Sequence, residues 1–153
     1  MFKPLLALVL LIIGGSTLAD EDSVLVMEKE GADKLWEIDK LKRPMYPRDA
    51  AINNVEGCSA VAFIIETNGK TSSHQPLVGA PSEIFIKPSL KAVKGWRFKA
   101  TEANPERTPI YTYQVISFSL GHVTSENYPA ELCSDAAAKA FRELAGWESE
   151  AEA

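Results

Sequence analysis

Gly57-Cys58-Ser59-Ala60-Val61-Ala62-Phe63-Ile64-Ile65-Glu66 decides how the rest of the chain is read. As a strand, it puts Val61, Phe63 and Ile65 on one face and Cys58, Ala60, Ala62 and Ile64 on the other. A strand with one wet face alternates apolar and polar residues. This one is apolar on both faces, so it needs cover on both sides and belongs at the centre of a small sheet. Thr67-Asn68-Gly69-Lys70 follows it. Asn-Gly predicts a type I′ hairpin turn, whose two central residues both need positive φ. The return, Lys70 to Val78, carries Thr71, Ser72, Ser73, His74 and Gln75 and reads as a polar edge strand.

Working outward, Tyr111 to Leu120 is the third strand, with Ile116, Phe118 and Leu120 on one face and Tyr113, Val115, Ser117 and Ser119 on the other. Before the central strand, Pro44 and Pro47 fix an extended approach, and Arg48 to Asn54 reads as a short helix with Pro47 near its first turn. After the hairpin, Pro88 sits in the first turn of a helix running to about Gly95, and Trp96-Arg97-Phe98 leaves it extended. Ser134 to Ala145 is a last helix with Ser134 as its N-cap. Leu132, Ala136, Ala137, Ala140, Phe141 and Leu144 form its apolar stripe, and Gly146 stops it. Residues 20–43 are ambiguous in period and are assigned to an N-terminal arm or accessory strand, with Ser23 to Met27 as its strand.

The chain has 153 residues and a formal charge of −5. That is enough for one domain with a real core. The acidic balance argues against a nucleic-acid binder, which presents a basic face. Met1-Phe2-Lys3, the apolar run Leu5 to Ile13, and Thr17-Leu18-Ala19 before Asp20 form the three parts of a secretory signal peptide spanning 1–19. The apolar run is short for a membrane span, so no stable membrane insertion is expected after cleavage. The alternative is an uncleaved anchor. Two cysteines, Cys58 and Cys133, allow one internal pairing, and in an exported protein a disulfide is the expected state.

The order helix, strand, turn, strand, helix, strand from Pro44 to Leu120 resembles the C-terminal domain of the TonB energy-transducer family. Pro44-x-Tyr46-Pro47-x-x-Ala50 resembles its opening motif. Gly57-x-x-x-Val61-x-Phe63-x-Ile65, with Gly69 in the turn, resembles its first hairpin. Phe85 and Leu90-x-Ala92-Val93-x-x-Trp96-x-Phe98 resemble its second helix and exit, and Ile116-x-Phe118-x-Leu120 its last strand. TolA C-terminal domains have a similar fold. The chain departs from the family in several places. It has no Pro-rich spacer, Ser59 and Ala100 replace an apolar residue and a proline, and two cysteines and a helix extend it.

The expected fold is α+β: a three-stranded antiparallel sheet with two short helices on one face, TonB C-terminal-like over 44–120, plus an extra C-terminal helix and acidic tail over 121–153. The resemblance implies a periplasmic protein-binding module in transmembrane transport or envelope protein interaction. In that family the last strand captures a receptor peptide by strand addition, in which backbone hydrogen bonds give affinity and alternate side chains give selectivity. Tyr111, Tyr113, Val115 and Ser117 would then meet an envelope protein, an extended peptide or, in a homodimer, a second copy. The competing expectation is an edge capped internally by residues 23–27.

No cofactor or metal is expected. His74 and His122 lack a metal-ligand spacing partner, and no nucleophile elbow, phosphate loop or Rossmann glycine pattern occurs. The other functional classes weighed are an anchored transducer and a secreted inhibitor or small hydrolase that reuses the fold. Intact-mass measurement on exported protein separates the first of these. Cleavage predicts a mature chain beginning at Asp20, and a chain still beginning at Met1 in the membrane fraction supports the anchor.

Overall fold

The computed structural model describes residues 23–121 and 130–147. The expected signal peptide, His122 and the acidic tail from Glu148 lie outside them. In chain order the elements are β1 (Leu25–Val26), α1 (Lys29–Leu35), β2 (Trp36–Lys40), α2 (Arg48–Ile52), β3 (Gly57–Ile65), β4 (Thr71–Ala80), a 3-10 turn (Glu83–Phe85), α3 (Ile86–Val93), β5 (Arg97–Ala100), β6 (Ile110–Phe118) and α4 (Ala130–Leu144). The main sheet has the order β1-β6-β3-β4, and β2 and β5 form a separate antiparallel ribbon. Three antiparallel strands were expected at the centre, and β6-β3-β4 are those three. The addition is β1, which pairs parallel to β6. It falls within Ser23 to Met27, the accessory strand expected of the N-terminal arm. The arm also contains a helix, α1, which runs through Gly31. Its Ala32 is buried, and its C-terminal Leu35 runs straight into β2.

β3 is the inner strand, and every residue but Ile64 is buried. On one side, Val61, Phe63 and Ile65 belong to a core with Phe85, Trp96 and Phe98, capped by α2 and α3. Phe63 lies 5.7 Å from Phe98 and 6.3 Å from Trp96 between ring centroids. Ser59 faces Ile116 across the ladder. It is fully buried, and its hydroxyl has no partner among the described residues, which costs about 1–3 kcal/mol.

The hairpin forms where expected but with a different turn. Gly69 takes φ 78° and Asn68 does not take positive φ, so the turn is not type I′. Glu66 accepts the Gly69 N–H at 2.8 Å and donates to the Lys70 carbonyl at 2.8 Å, the pattern of a turn closed by a glycine bulge. Asn68 Oδ1 instead accepts the Lys70 N–H at 3.0 Å. Gly69 is also required by packing. A Cβ there would lie 2.0 Å from the Phe98 carbonyl oxygen. β4 is the outer strand on that side, irregular at two points against β3, with Pro76 in it.

α4 covers the other face. It begins four residues before the expected start, and Ser134 donates to the Ala130 carbonyl at 3.0 Å from within the helix rather than capping it. The buried positions are Cys133, Ala137 and Phe141, while Leu132 and Leu144 of the expected stripe are 49% and 51% exposed. Ala60 and Ala62 leave room for Phe141, whose ring lies 4.9 Å from Tyr113 and 5.3 Å from Tyr111. At the far end Gly146 takes φ 72° and Trp147 donates to the Arg142 carbonyl at 2.9 Å, a Schellman-type stop. Near the helix start Cys133 is disulfide-bonded to Cys58 with Cα atoms 6.1 Å apart, both residues fully buried.

The bridge closes a loop across a separation of 75 residues, for which chain entropy gives about 4 kcal/mol as an upper figure. Alkylation of natively exported protein should label no thiol. The double substitution C58S/C133S should lower unfolding free energy in urea by about 2–4 kcal/mol and expose Tyr113 to solvent as α4 loosens.

Candidate partner-binding edge

In a strand the N–H and C=O of one residue point to the same side, and the side alternates along the chain. β1 sets the parity of β6. Leu25 donates to the Pro109 carbonyl at 3.1 Å and Met27 to the Tyr111 carbonyl at 3.0 Å. Odd-numbered residues of β6 therefore turn their backbone outward, and even-numbered ones bond β3. The internal cap expected from residues 23–27 exists, but its register stops at Tyr111. Among the described residues, the outward backbone groups of Tyr113, Val115 and Ser117 have no partner.

The side chains at these positions are not equivalent. Tyr113 is only 6% exposed and Tyr111 is half-buried, both against Phe141. Burial raises both hydroxyl pKa values, and for Tyr113 the nearby Glu28 and Glu30 raise it further. Neither ring lies open to a partner. Val115 is half-buried and Ser117 exposed. Of the four residues read from the sequence, these last two offer both an unpaired backbone and a reachable side chain.

Val115 and Ser117 line an open groove of about 460 Å³. One wall is Gln114 to Ser119 of β6 and its exit. The other is Ile38 of β2 and the extended segment through Leu41, Lys42, Arg43, Pro44 and Tyr46. Pro44 and Pro47 keep that segment extended. The Trp96 indole N–H donates to the Lys42 carbonyl at 2.8 Å, and the Tyr46 hydroxyl donates to the Val55 carbonyl at 2.7 Å. Glu56 fixes the end of β6, accepting from the Leu120 N–H at 2.6 Å and the Ser119 hydroxyl at 3.2 Å. Ile38 and Leu41 are 44% and 53% exposed. Their apolar surface, with Lys42 and Arg43 beside it, is the part of the site that sequence reasoning missed. Trp96 and Lys42 meet over 54 positions, and no local pattern carries that contact.

Elsewhere, His74 Nε2 lies 2.8 Å from the Thr71 hydroxyl, and burial, then Lys94, lower its pKa. Among the described residues no group of three or more His, Cys, Asp or Glu could hold a metal. What the edge offers chemically is backbone pairing beside an apolar wall.

Residues 42–120 match the family model described as the Gram-negative bacterial TonB protein C-terminal. The chain belongs to that family. The match begins at Lys42 in the groove and ends at Leu120 just beyond β6, so the TonB C-terminal domain here holds one whole wall of the groove and most of the other. Protein TonB of Pseudomonas aeruginosa is 33% identical over 60 residues, which are 39% of this chain and 18% of that protein. The chain thus spans under a fifth of that relative. The solution NMR structure of the Pseudomonas aeruginosa TonB C-terminal domain superposes with a TM-score of 0.50 at 23% identity, covering 63% of this chain and 96% of that one. That likeness is one of fold.

Trp96→Phe keeps most of the ring but deletes its N–H. It should cost about 1 kcal/mol in urea unfolding and shift the Lys42 and Arg43 amide resonances, which flank the carbonyl that loses its donor, more than those of β3. Unchanged resonances at those two amides would mean the indole does not hold the groove wall.

Proposed function

We propose that this TonB C-terminal domain binds an extended segment of an envelope protein, added as a strand on the outer edge of β6, in the service of transport across a Gram-negative envelope. The observation that carries the reading is the outward, unpartnered backbone of Val115 and Ser117 beside the groove. Unpaired edges recruit strands unless charge, proline or a bulge blunts them. β4 has the proline and the bulges, whereas Tyr111 to Ser117 carries no charge and no proline. Family membership supports a protein-interaction role rather than catalysis. Secretion after cleavage at Ala19 would place the domain in the oxidising periplasm, which suits a buried disulfide. No helix among the described residues is long and apolar enough to cross a membrane.

Since the Val115 N–H faces outward, Val115→Pro removes a donor from the edge and none from the β3 ladder. We expect the variant to keep its fold by circular dichroism and to lose at least about tenfold in affinity for a partner crosslinked from envelope extracts. Amides of Val115 and Ser117 should exchange fast in the unbound protein and slow when the partner is held. Protection of both amides in the unbound protein, or capture untouched by V115P, would overturn strand addition here.

A further inference from the structure

The outer edge of β6 is already used at its beginning, by the chain itself. We propose that β1 is a resident placeholder strand: the whole docking edge runs from Pro109 to Ser117, and a partner strand parallel to β6 takes it by replacing Ser23 to Met27. This rests on the strand-addition reading above and extends its site.

The hold of β1 is slight. It is two residues long; beside its ladder with β6, Leu25 and Met27 donate to the Pro109 and Tyr111 carbonyls, and its packing is limited to the half-buried Val26 and Met27. Val24 and Leu25 remain 36% and 43% exposed. Segments with few buried contacts and few backbone bonds open at low free energy. The firm attachment of the N-terminal region begins later. Ala32 and Trp36 are 2% exposed, the Trp36 indole donates to the Thr108 carbonyl at 2.9 Å, and Leu35 accepts the Thr101 N–H at 3.0 Å. Between the two, Glu28 at the start of α1 makes no side-chain cap, so the first turn can unwind with the strand. A surface ion pair, Arg142 Nε to Glu28 Oε1 at 2.5 Å, clasps this junction to α4.

The occupant's chemistry is written in β1 itself. Val24 and Val26 lie over an open hollow of about 470 Å³ shared with Ile64, Tyr111 and Leu144, which two valines fill only in part. A strand with larger apolar residues at alternate positions, continuing past Tyr111 toward Val115, would bury more surface and satisfy more of the outward backbone. Its polarity is that of β1, whose pairing with β6 is parallel.

The test uses the full chain and a fluorescent synthetic peptide of its own residues 23–28. A tethered competitor lowers apparent affinity by the fraction of time it holds the site. Leu25→Pro with Met27→Pro removes both donors, so this variant should bind the peptide at least about tenfold more tightly than the unsubstituted chain, with Tyr111 becoming protected from exchange. Glu28→Gln should fall between the two, and added salt should raise peptide binding to the unsubstituted chain by screening the clasp. Should the proline variant unfold, Glu28→Gln and the salt series decide alone. Equal affinity across all forms, or no protection at Tyr111, overturns the placeholder. If V115P abolishes partner capture while L25P/M27P leaves peptide binding unchanged, strand addition stands and the placeholder falls. Peptide protection at Tyr111 with capture untouched by V115P removes the larger reading instead.

Discussion

β3 has no face to give to water, and the rest of the molecule answers that constraint. Val61, Phe63 and Ile65 take the aromatic side, and the residues between them need a second cover. A lone three-stranded sheet with helices on one face would leave Ala60 and Ala62 exposed. α4 supplies the missing layer, and the Cys58–Cys133 bridge holds it against the strand that requires it. The small side chains matter as much as the bridge. With alanines at 60 and 62, Phe141 can enter as the one bulky residue between helix and sheet. Gly57 serves the opposite face in the same way, since a Cβ there would lie 2.3 Å from Phe85 Cε2.

This cover also decides what the edge of β6 can present. Had the second face been open, Tyr111 and Tyr113 would have been exposed aromatics beside an unpaired strand. With Phe141 against both rings, they are spent on the core. A strand added at this edge meets backbone first, and selectivity has to come from the groove wall opposite, where Ile38 and Leu41 remain half-exposed. If strand addition is the binding mode, the division of labour between backbone affinity and side-chain choice would move off the strand and onto the segment before Tyr46.

The central strand, the hairpin, α2, α3 and β6 are legible in the sequence because each carries a local signal: two-faced apolarity, Asn-Gly, proline in a first turn, alternation. The readings that changed are those that depend on partners far along the chain. Asn68 reads as half of a type I′ turn until its side chain is seen accepting from Lys70. Ser134 reads as a cap until α4 is seen to start at Ala130, among residues with no periodic apolar signal. β1 lies inside the strand read at Ser23 to Met27, but its parallel pairing with β6 has no local signal. Of the candidate site, the strand and its outward edge could be read in advance. The groove could not, because it exists only where the Trp96 indole draws Lys42 across to β6.

The two edges of the main sheet differ in how readily each could accept another strand. β4 is irregular at two points, has Ser73 at φ 49° and contains Pro76, so a flat incoming strand would find its ladder broken. β6 pairs with β3 in unbroken register from Ile110 to Phe118, which leaves its outer side regular too. A regular, unpaired edge is an aggregation liability. In this chain the edge is covered only at its start, by the two residues of β1, and the remainder borders the open groove. A permanent cover would have removed the hazard and the site together. Under the placeholder proposal a light one would leave the edge selective, because a strand would have to displace β1 and fit beside Ile38 and Leu41 to gain more than the resident contacts supply.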